Sequence, residues 1–248
     1  MENSGAQTLY KGLTLIDAVA GGNRSLKQIC ATVNLPRSTA HRLLTMLVQQ
    51  KYLRQIANEY FLGPRLIEYG MRSLSEYPLR SAASPYLQEL AQLTHDTVHL
   101  GIREEMEVFY IDKIAGSRAI EMNSRVGYRM PLDITGVGKS LLLDCSDNEL
   151  TDISHYFNRS AERLTIFLEL MHKYRALGYT LDLSENEANI RCVAAPVRDA
   201  SGIIIAAVSV ASLDIYMDDE RMLSLTSVVK NTAMNISMEL GWCARKIS

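Results

Sequence analysis

Two groups of residues in this chain carry enough polar chemistry to act on something outside it. The first is Arg37, Ser38, Thr39, His41 and Arg42, five polar side chains within six positions. Arginine pairs bidentately with the acceptor edge of guanine, and Ser, Thr and a helix N-terminus suit phosphate oxygens. Gathered on one short helix, that set is chemistry for reading DNA; the alternative is a solvated polar face on a three-helix cap. The second group lies further along: Gly136-Val137-Gly138-Lys139-Ser140, then Asp182, Cys192, Ser209 and Ser212. A glycine-rich helix start presents unpaired N–H groups and a positive dipole end, a seat for a carboxylate. The alternative is a tight turn that needs small residues for packing. It is not a phosphate loop, because the first glycine of G-x-x-x-x-G-K-[ST] would fall at Asp133. Cys192, Ser209 and Ser212 are small polar groups in apolar runs, and a buried hydroxyl needs a partner, whether ligand or backbone carbonyl. Asp182 stands near Glu185 and Glu187, a charge run that by itself describes a solvated loop.

The elements that must position these groups can be read from period and punctuation. Leu9, Leu13, Ile16 and Ala20 recur at helical spacing, predicting a helix over Thr8–Ala20. Ser25, with Gln28 three residues on, predicts a capping box, and Asn34 a left-handed closing residue. Pro36 opens the next helix, with Ala40, Leu43, Leu44, Leu47 and Val48 inward. Tyr52–Ile56 and Glu59–Leu62 flank Ala57-Asn58 as a small hairpin, a wing on which Arg54 can touch phosphates. Pro64–Leu74 is a further helix, broken over Ser75–Pro78.

Beyond it, Ser81–Thr94 is an amphipathic helix, followed by a hairpin from Val98 to Ile114. A strand is expected over Arg118–Met122 and helices over Gly136–Cys145, Asp147–Phe157 and Thr165–Leu177. Strands follow at Tyr179–Leu183, Ile190–Val197 and Ile203–Ala211, and a closing helix at Asp218–Leu240. The body is therefore α+β with a mainly antiparallel sheet.

Composition narrows the classes. Of 248 residues, 47% are hydrophobic and 22% charged, as in ordinary globular chains. The net charge of -2 conceals a division: residues 1–64 hold 7 Lys and Arg against 3 Asp and Glu. The remainder holds 19 against 25, so a basic head joins an acidic body, which suits an anionic partner. Cys30, Cys145, Cys192 and Cys243 are scattered without a C-x-x-C pair, which gives no metal ribbon and fits a reducing cytoplasm. His95 and His99 are four apart, but the change from helix to strand falls between them, so no metal is expected. The N-terminus MENSGAQTLY has no apolar signal region and no run is long enough for a membrane span. There is no G-x-S-x-G elbow and no dinucleotide fingerprint, so catalysis is the weaker class and no cofactor is expected.

The segments L-P-R-S-T-A-H-R-L-L, K-Y-L and Y-F-L-G resemble the DNA-binding domain of the isocitrate lyase regulator (IclR) family of bacterial transcription factors. V-G-Y-R-M-P-L-D-I-T-G-V-G-K-S-L-L-L, G-Y-T-L-D-L-S-E-N-E, R-C-V-A-A-P-V-R-D-A-S-G and A-A-V-S-V-A-S are similar to its effector-binding segments. The resemblance spans residues 8–240. It implies a winged helix-turn-helix over 1–63, a linker helix over 64–80 and a GAF-like effector domain over 81–248. It implies DNA contacts from Ser25, Arg37, Ser38, Thr39, His41, Arg42 and Arg54, and a pocket of Gly136, Val137, Asp182, Cys192, Ser209 and Ser212 for a small organic acid. The partners implied are double-stranded operator DNA and a second or further copies, as homodimer or homotetramer, in the cytoplasm and without membrane. Two positions depart from the pattern: Lys51 and Asn189 stand where the family has glycine. The other class kept open is a small-carboxylate-binding protein or enzyme with an incidental helical head.

Overall fold

The computed structural model describes residues 4–75, 78–119 and 122–243. The chain divides into two compact units, residues 1–76 and 77–248.

The first unit starts with helices α1 (Ser4–Ala20), α2 (Leu26–Val33) and α3 (Arg37–Gln49). Leu15, Ala18 and Val19 meet Ile29, Ala40 and Leu44 in one core. Ser25 caps α2: its hydroxyl accepts from the Gln28 amide, and the Gln28 side chain accepts from the Ser25 amide at 3.0 Å. Asn34 then turns left-handed, φ +50°, and ends the helix. Pro36 stands one place before the first residue of α3. Strands β1 (Leu53–Ile56) and β2 (Glu59–Leu62) pair antiparallel, with Ala57 and Asn58 at φ +48° and +66°, the signs a two-residue type I′ turn requires. Helix α4 (Pro64–Ser75) is held to this unit by an edge contact between Tyr52 and Tyr69 and by Arg65 over the Tyr52 ring. It leaves Ile67 and Met71, one turn apart, 69% and 63% exposed.

The second unit opens with α5 (Pro78–Thr94), three residues earlier than the spacing predicts. There follow β3 (Thr97–Glu104), β4 (Glu107–Ile114), β5 (Arg129–Pro131), α6 (Gly136–Leu141), α7 (Asp147–Tyr156), α8 (Ala161–Leu177), β6 (Thr180–Leu183), β7 (Ile190–Arg198), β8 (Ile204–Leu213) and α9 (Asp219–Glu239). The six strands of this unit form an antiparallel sheet in the order β5-β4-β3-β8-β7-β6. The α+β expectation holds.

Strand alternation sorts the side chains. Val98, Leu100, Val193, Ala195, Val208 and Val210 face α5 and α9 in the larger core. The opposite face carries Cys192, Ala194, Ala207, Ser209 and Ala211, and is covered by α6 and, beyond it, α7 and α8. With both faces buried, β7 and β8 read as nearly continuous apolar runs.

The strand expected over Arg118–Met122 is not found: residues 118, 119 and 122 form none, and residues 120–121 lie outside the described residues, as do residues 76–77 of the expected break. The outer strand is β5, paired through Met130 with Val108.

Both departures from the family's glycines fall on left-handed backbone, Lys51 at φ +63° and Asn189 at φ +64°. Asparagine tolerates that conformation; a lysine there costs roughly 1–2 kcal/mol.

Candidate functional site

On α3, Ala40 and Leu44 are buried while Arg37, Ser38, His41, Arg42 and Thr45 are exposed. Thr39 is half-buried on the flank. The side chains of Arg37, His41 and Arg42 make no hydrogen bond or ion pair among the described residues. The helix thus presents a cationic face with its donors unspent, at the N-terminal turns where a recognition helix meets base edges. Arg54 on β1 is exposed, with its guanidinium 5.6 Å from the centre of the Phe61 ring. Arg24 lies over the same ring at 4.7 Å and donates to the Val19 and Tyr60 carbonyls, fixing the wing to α1. The Ser25 hydroxyl is engaged in its cap, so what it offers DNA is the helix start rather than a free donor.

In the second unit the residues converge from three elements. A Cβ at Gly136 would sit 2.8 Å from Cys192 Sγ and 3.6 Å from the Asp182 amide, so α6 can approach the sheet only because position 136 has no side chain. A Cβ at Gly138 would strike the Leu132 carbonyl at 2.3 Å. Packing therefore explains both glycines, and it coexists with an anion seat. Thr135 Oγ1 accepts from the Gly138 amide at 3.0 Å, while the Gly136 and Val137 amides donate to no described residue. Val137 itself is buried between sheet and helices. Thr180 ties β6 to this turn by donating to the Gly136 carbonyl at 2.7 Å.

Asp182 and Cys192 are paired across β6 and β7, and Ala194 is paired with Ser209 across β7 and β8. Asp182 is buried and its Oδ1 accepts from the Glu185 amide at 2.8 Å. Burial pushes its carboxyl up to about 6, against the opposing pull of that amide and of Lys139. Burial pushes the Cys192 thiol up to about 12, so it is protonated at neutral pH and a poor nucleophile. Ser209, beside it, pulls the other way.

His99 belongs to this cluster. It pairs with Ser209 across β3 and β8, with Nδ1 3.5 Å from Ser209 Oγ and Nε2 2.7 Å from Ser124 Oγ. Burial first, then Lys113, lower it to about 3, so it is a neutral donor–acceptor. A cavity of about 170 Å³ opens next to the cluster, lined by Thr97, Met122, Ala211, Ser212 and Tyr216; Gly136, Val137, Asp182, Cys192, Ser209 and His99 do not line it. That is below the roughly 300–1,000 Å³ typical of pockets for drug-sized ligands, so it suits a small one.

Ser212 lines that cavity but does not face the same way as Ser209. Three residues along β8 from Ser209, it points to the other face and donates to Asp96 at 2.8 Å. Asp96 also accepts from Arg118 and Arg221, so this hydroxyl completes a buried ion cluster. Among the described residues no group of three or more His, Cys, Asp or Glu is placed to hold a metal ion. None of their helices is long and apolar enough to cross a membrane.

Residues 8–57 match the IclR helix-turn-helix domain, and residues 71–238 match the C-terminal domain of the bacterial transcriptional regulator IclR. The chain belongs to the IclR family. Members are ligand-responsive, DNA-binding transcription regulators, and this chain carries an exposed cationic face on α3 and a polar cluster on the sheet. The HTH-type transcriptional repressor AllR of Escherichia coli K12 is 28% identical over 96% of this chain and 91% of its own length. Among solved structures, a transcriptional regulator from Rhodococcus sp. RHA1 superposes with a TM-score of 0.84 at 28% identity, over 94% of this chain and 98% of its own. The Thermotoga maritima IclR superposes at 0.78, also at 28%, over 96% and 100%. An IclR homologue from Microbacterium hydrocarbonoxydans, complexed with 4-hydroxybenzoate, shares the fold at 0.80 and 22% identity, over 94% and 98%.

Proposed function

We propose that this chain is a cytoplasmic repressor of a catabolic operon, acting by DNA binding and not by catalysis, and released or held by a small organic acid. The observation that carries the DNA half is the exposed face of α3, where the side chains of Arg37, His41 and Arg42 have no partners among the described residues. Arg37, Ser38, Thr39, His41 and Arg42 would contact bases and nearby phosphates in the major groove, with Arg54 on the flanking backbone. The start of α2 at Ser25 would meet a phosphate. Repression is supported by the similar AllR proteins.

The organic acid would sit beside the N-terminal end of α6, at the edge of its contact with the sheet. Its carboxylate would take the amides of Gly136 and Val137, and its other polar atoms would meet Asp182, Cys192, Ser209 and the neutral His99. The 4-hydroxybenzoate complex of the Microbacterium homologue supports this class of effector. A homodimer, or a tetramer built from dimers, would set two copies of α3 on successive turns of a pseudo-palindromic operator. The exposed Ile67 and Met71 of α4 suit such contacts. The effector regulates only through a difference in affinity between the arrangements of the heads.

The test couples genomic footprinting with a melting screen. Fragments of the source genome retained by the protein should share a palindrome, and small carboxylates should include one that raises Tm and shifts the footprint. Retention of no fragment would refute the DNA reading. A stabiliser unaffected by Asp182→Ala and Ser209→Ala would refute the pocket.

A further inference from the structure

A second cavity, of about 330 Å³, lies on the outer side of the unit, between the start of α6, helices α7 and α8, and the end of β6. None of the residues named above for the effector lines it. Its walls are largely apolar, with Ile166, Phe167 and Leu170 of α8 on one side and Leu183 of β6 on another. Its polar residues, Asp133, Ser154, Arg159, Arg163 and Glu185, differ in state. Asp133 and Arg159 also line it and neutralise each other through two hydrogen bonds, at 2.6 and 3.0 Å. Glu185 is committed to Lys139. That leaves two groups unspent. The Arg163 guanidinium is exposed and has no hydrogen bond or ion pair among the described residues. Ser154 is 1% exposed, lines the cavity, and its hydroxyl has no partner among the described residues. A hydroxyl in a helix usually returns to the carbonyl four residues back, as Thr151 does to Asp147 at 2.7 Å; Ser154 does not.

We infer that this cavity is a second small-molecule site, for an organic monocarboxylate with an apolar body about one ring in size. Each part of that description follows from the walls. One uncompensated guanidinium selects one negative charge, bound as a charge-assisted pair. The buried Ser154 hydroxyl supplies a directional hydrogen bond, which an apolar-walled cavity rewards because the alternative is an unpaired polar group. Phe167, Ile166 and Leu170 would take the apolar body, and the volume stands at the lower end of the range for ligand pockets. Inorganic phosphate would find one free arginine and an apolar wall, a poor exchange for its hydration. The site also touches the effector cluster through one residue. Glu185 lines this cavity with its side chain while its amide holds Asp182.

The test uses 4-fluorobenzoate as the probe, followed by fluorine NMR on the full chain at millimolar concentration. Arg163→Ala should weaken binding about tenfold or more, the scale of a lost charge-assisted bond. Arg163 is exposed, so this variant keeps its fold. Ser154→Ala should weaken it by a smaller factor, and Ser154→Leu, which fills the cavity, should abolish it. Ser209→Ala and Asp182→Asn should leave it unchanged. Absence of binding would overturn the proposal, as would binding unaffected by Arg163→Ala and Ser154→Leu. Binding lost only in Ser209→Ala and Asp182→Asn would overturn it too, by placing the probe in the effector cluster; that result would leave the reading of the effector site standing.

Discussion

Glu185 pairs with Lys139, a lysine whose side chain is 0% exposed although it lies in the middle of a six-residue helix. Tyr174 stands nearby, its ring centre 5.9 Å from the ammonium. The pair holds the loop after β6 down against α6, and the Glu185 amide in turn positions Asp182. Breaking one side of a buried pair costs far more than the pair contributes, because the other charge is stranded. Glu185→Gln should therefore destabilise the chain in urea, by about 1–3 kcal/mol given that the Glu185 side chain is 28% exposed. Adding Lys139→Met should restore most of that loss. Equal stability of wild type and Glu185→Gln would mean that the pair does not hold the loop.

Asp182 makes a pH prediction. Its folded carboxyl titrates near 6 against an ordinary value of 3.8, so between those values the folded chain holds a proton that the unfolded chain has released. The contribution of Asp182 to wild-type stability therefore falls as pH rises from about 4 to 6, by at most about 3 kcal/mol. Asn at this position keeps an acceptor for the Glu185 amide and removes the titration. The stability of Asp182→Asn relative to wild type should grow from near zero at pH 4 to a gain of about 1–3 kcal/mol above pH 6. A difference that does not vary with pH would show that this carboxyl is not held protonated.

Lys51 occupies left-handed backbone at φ +63° between α3 and β1. Glycine relieves that strain but adds freedom to the unfolded chain, and the two effects partly cancel. Lys51→Gly should stabilise the first unit by about 0.5–1 kcal/mol. Thermal melts of wild type and variant decide the sign, and a loss of stability would show that the lysine side chain compensates its own strain.

Much of the first unit was legible because its signals are local. Ser25 with Gln28, Asn34, Pro36 and Ala57-Asn58 each act through their own backbone, and each does what its residue type favours. The sheet was less legible in proportion to how far its partners lie in sequence. β5 is three residues long and exists only because it pairs with β4, so no period could announce it. His99 joins Ser209 through the β3–β8 register, 110 residues apart. The burial of Lys139 likewise depends on Glu185, 46 residues away. Ser212 is different, since the signal was present: two residues three apart on one strand must face opposite ways. Asp182 defeats the reading of its charge run as a solvated loop, because Glu185, its neighbour there, neutralises Lys139 while its amide covers Asp182.

Central to the account is that the outer face of α3 reads DNA. Fluorescence anisotropy of a footprinted operator fragment, titrated with wild type and with the double variant Arg37→Ala, Arg42→Ala, tests it most directly. The two arginines carry contacts worth about 1–3 kcal/mol each, so affinity should fall about 100-fold or more, with a shallower dependence on salt and an unchanged circular dichroism spectrum. Operator affinity within about threefold of wild type, below the cost of even one such contact, would contradict the account.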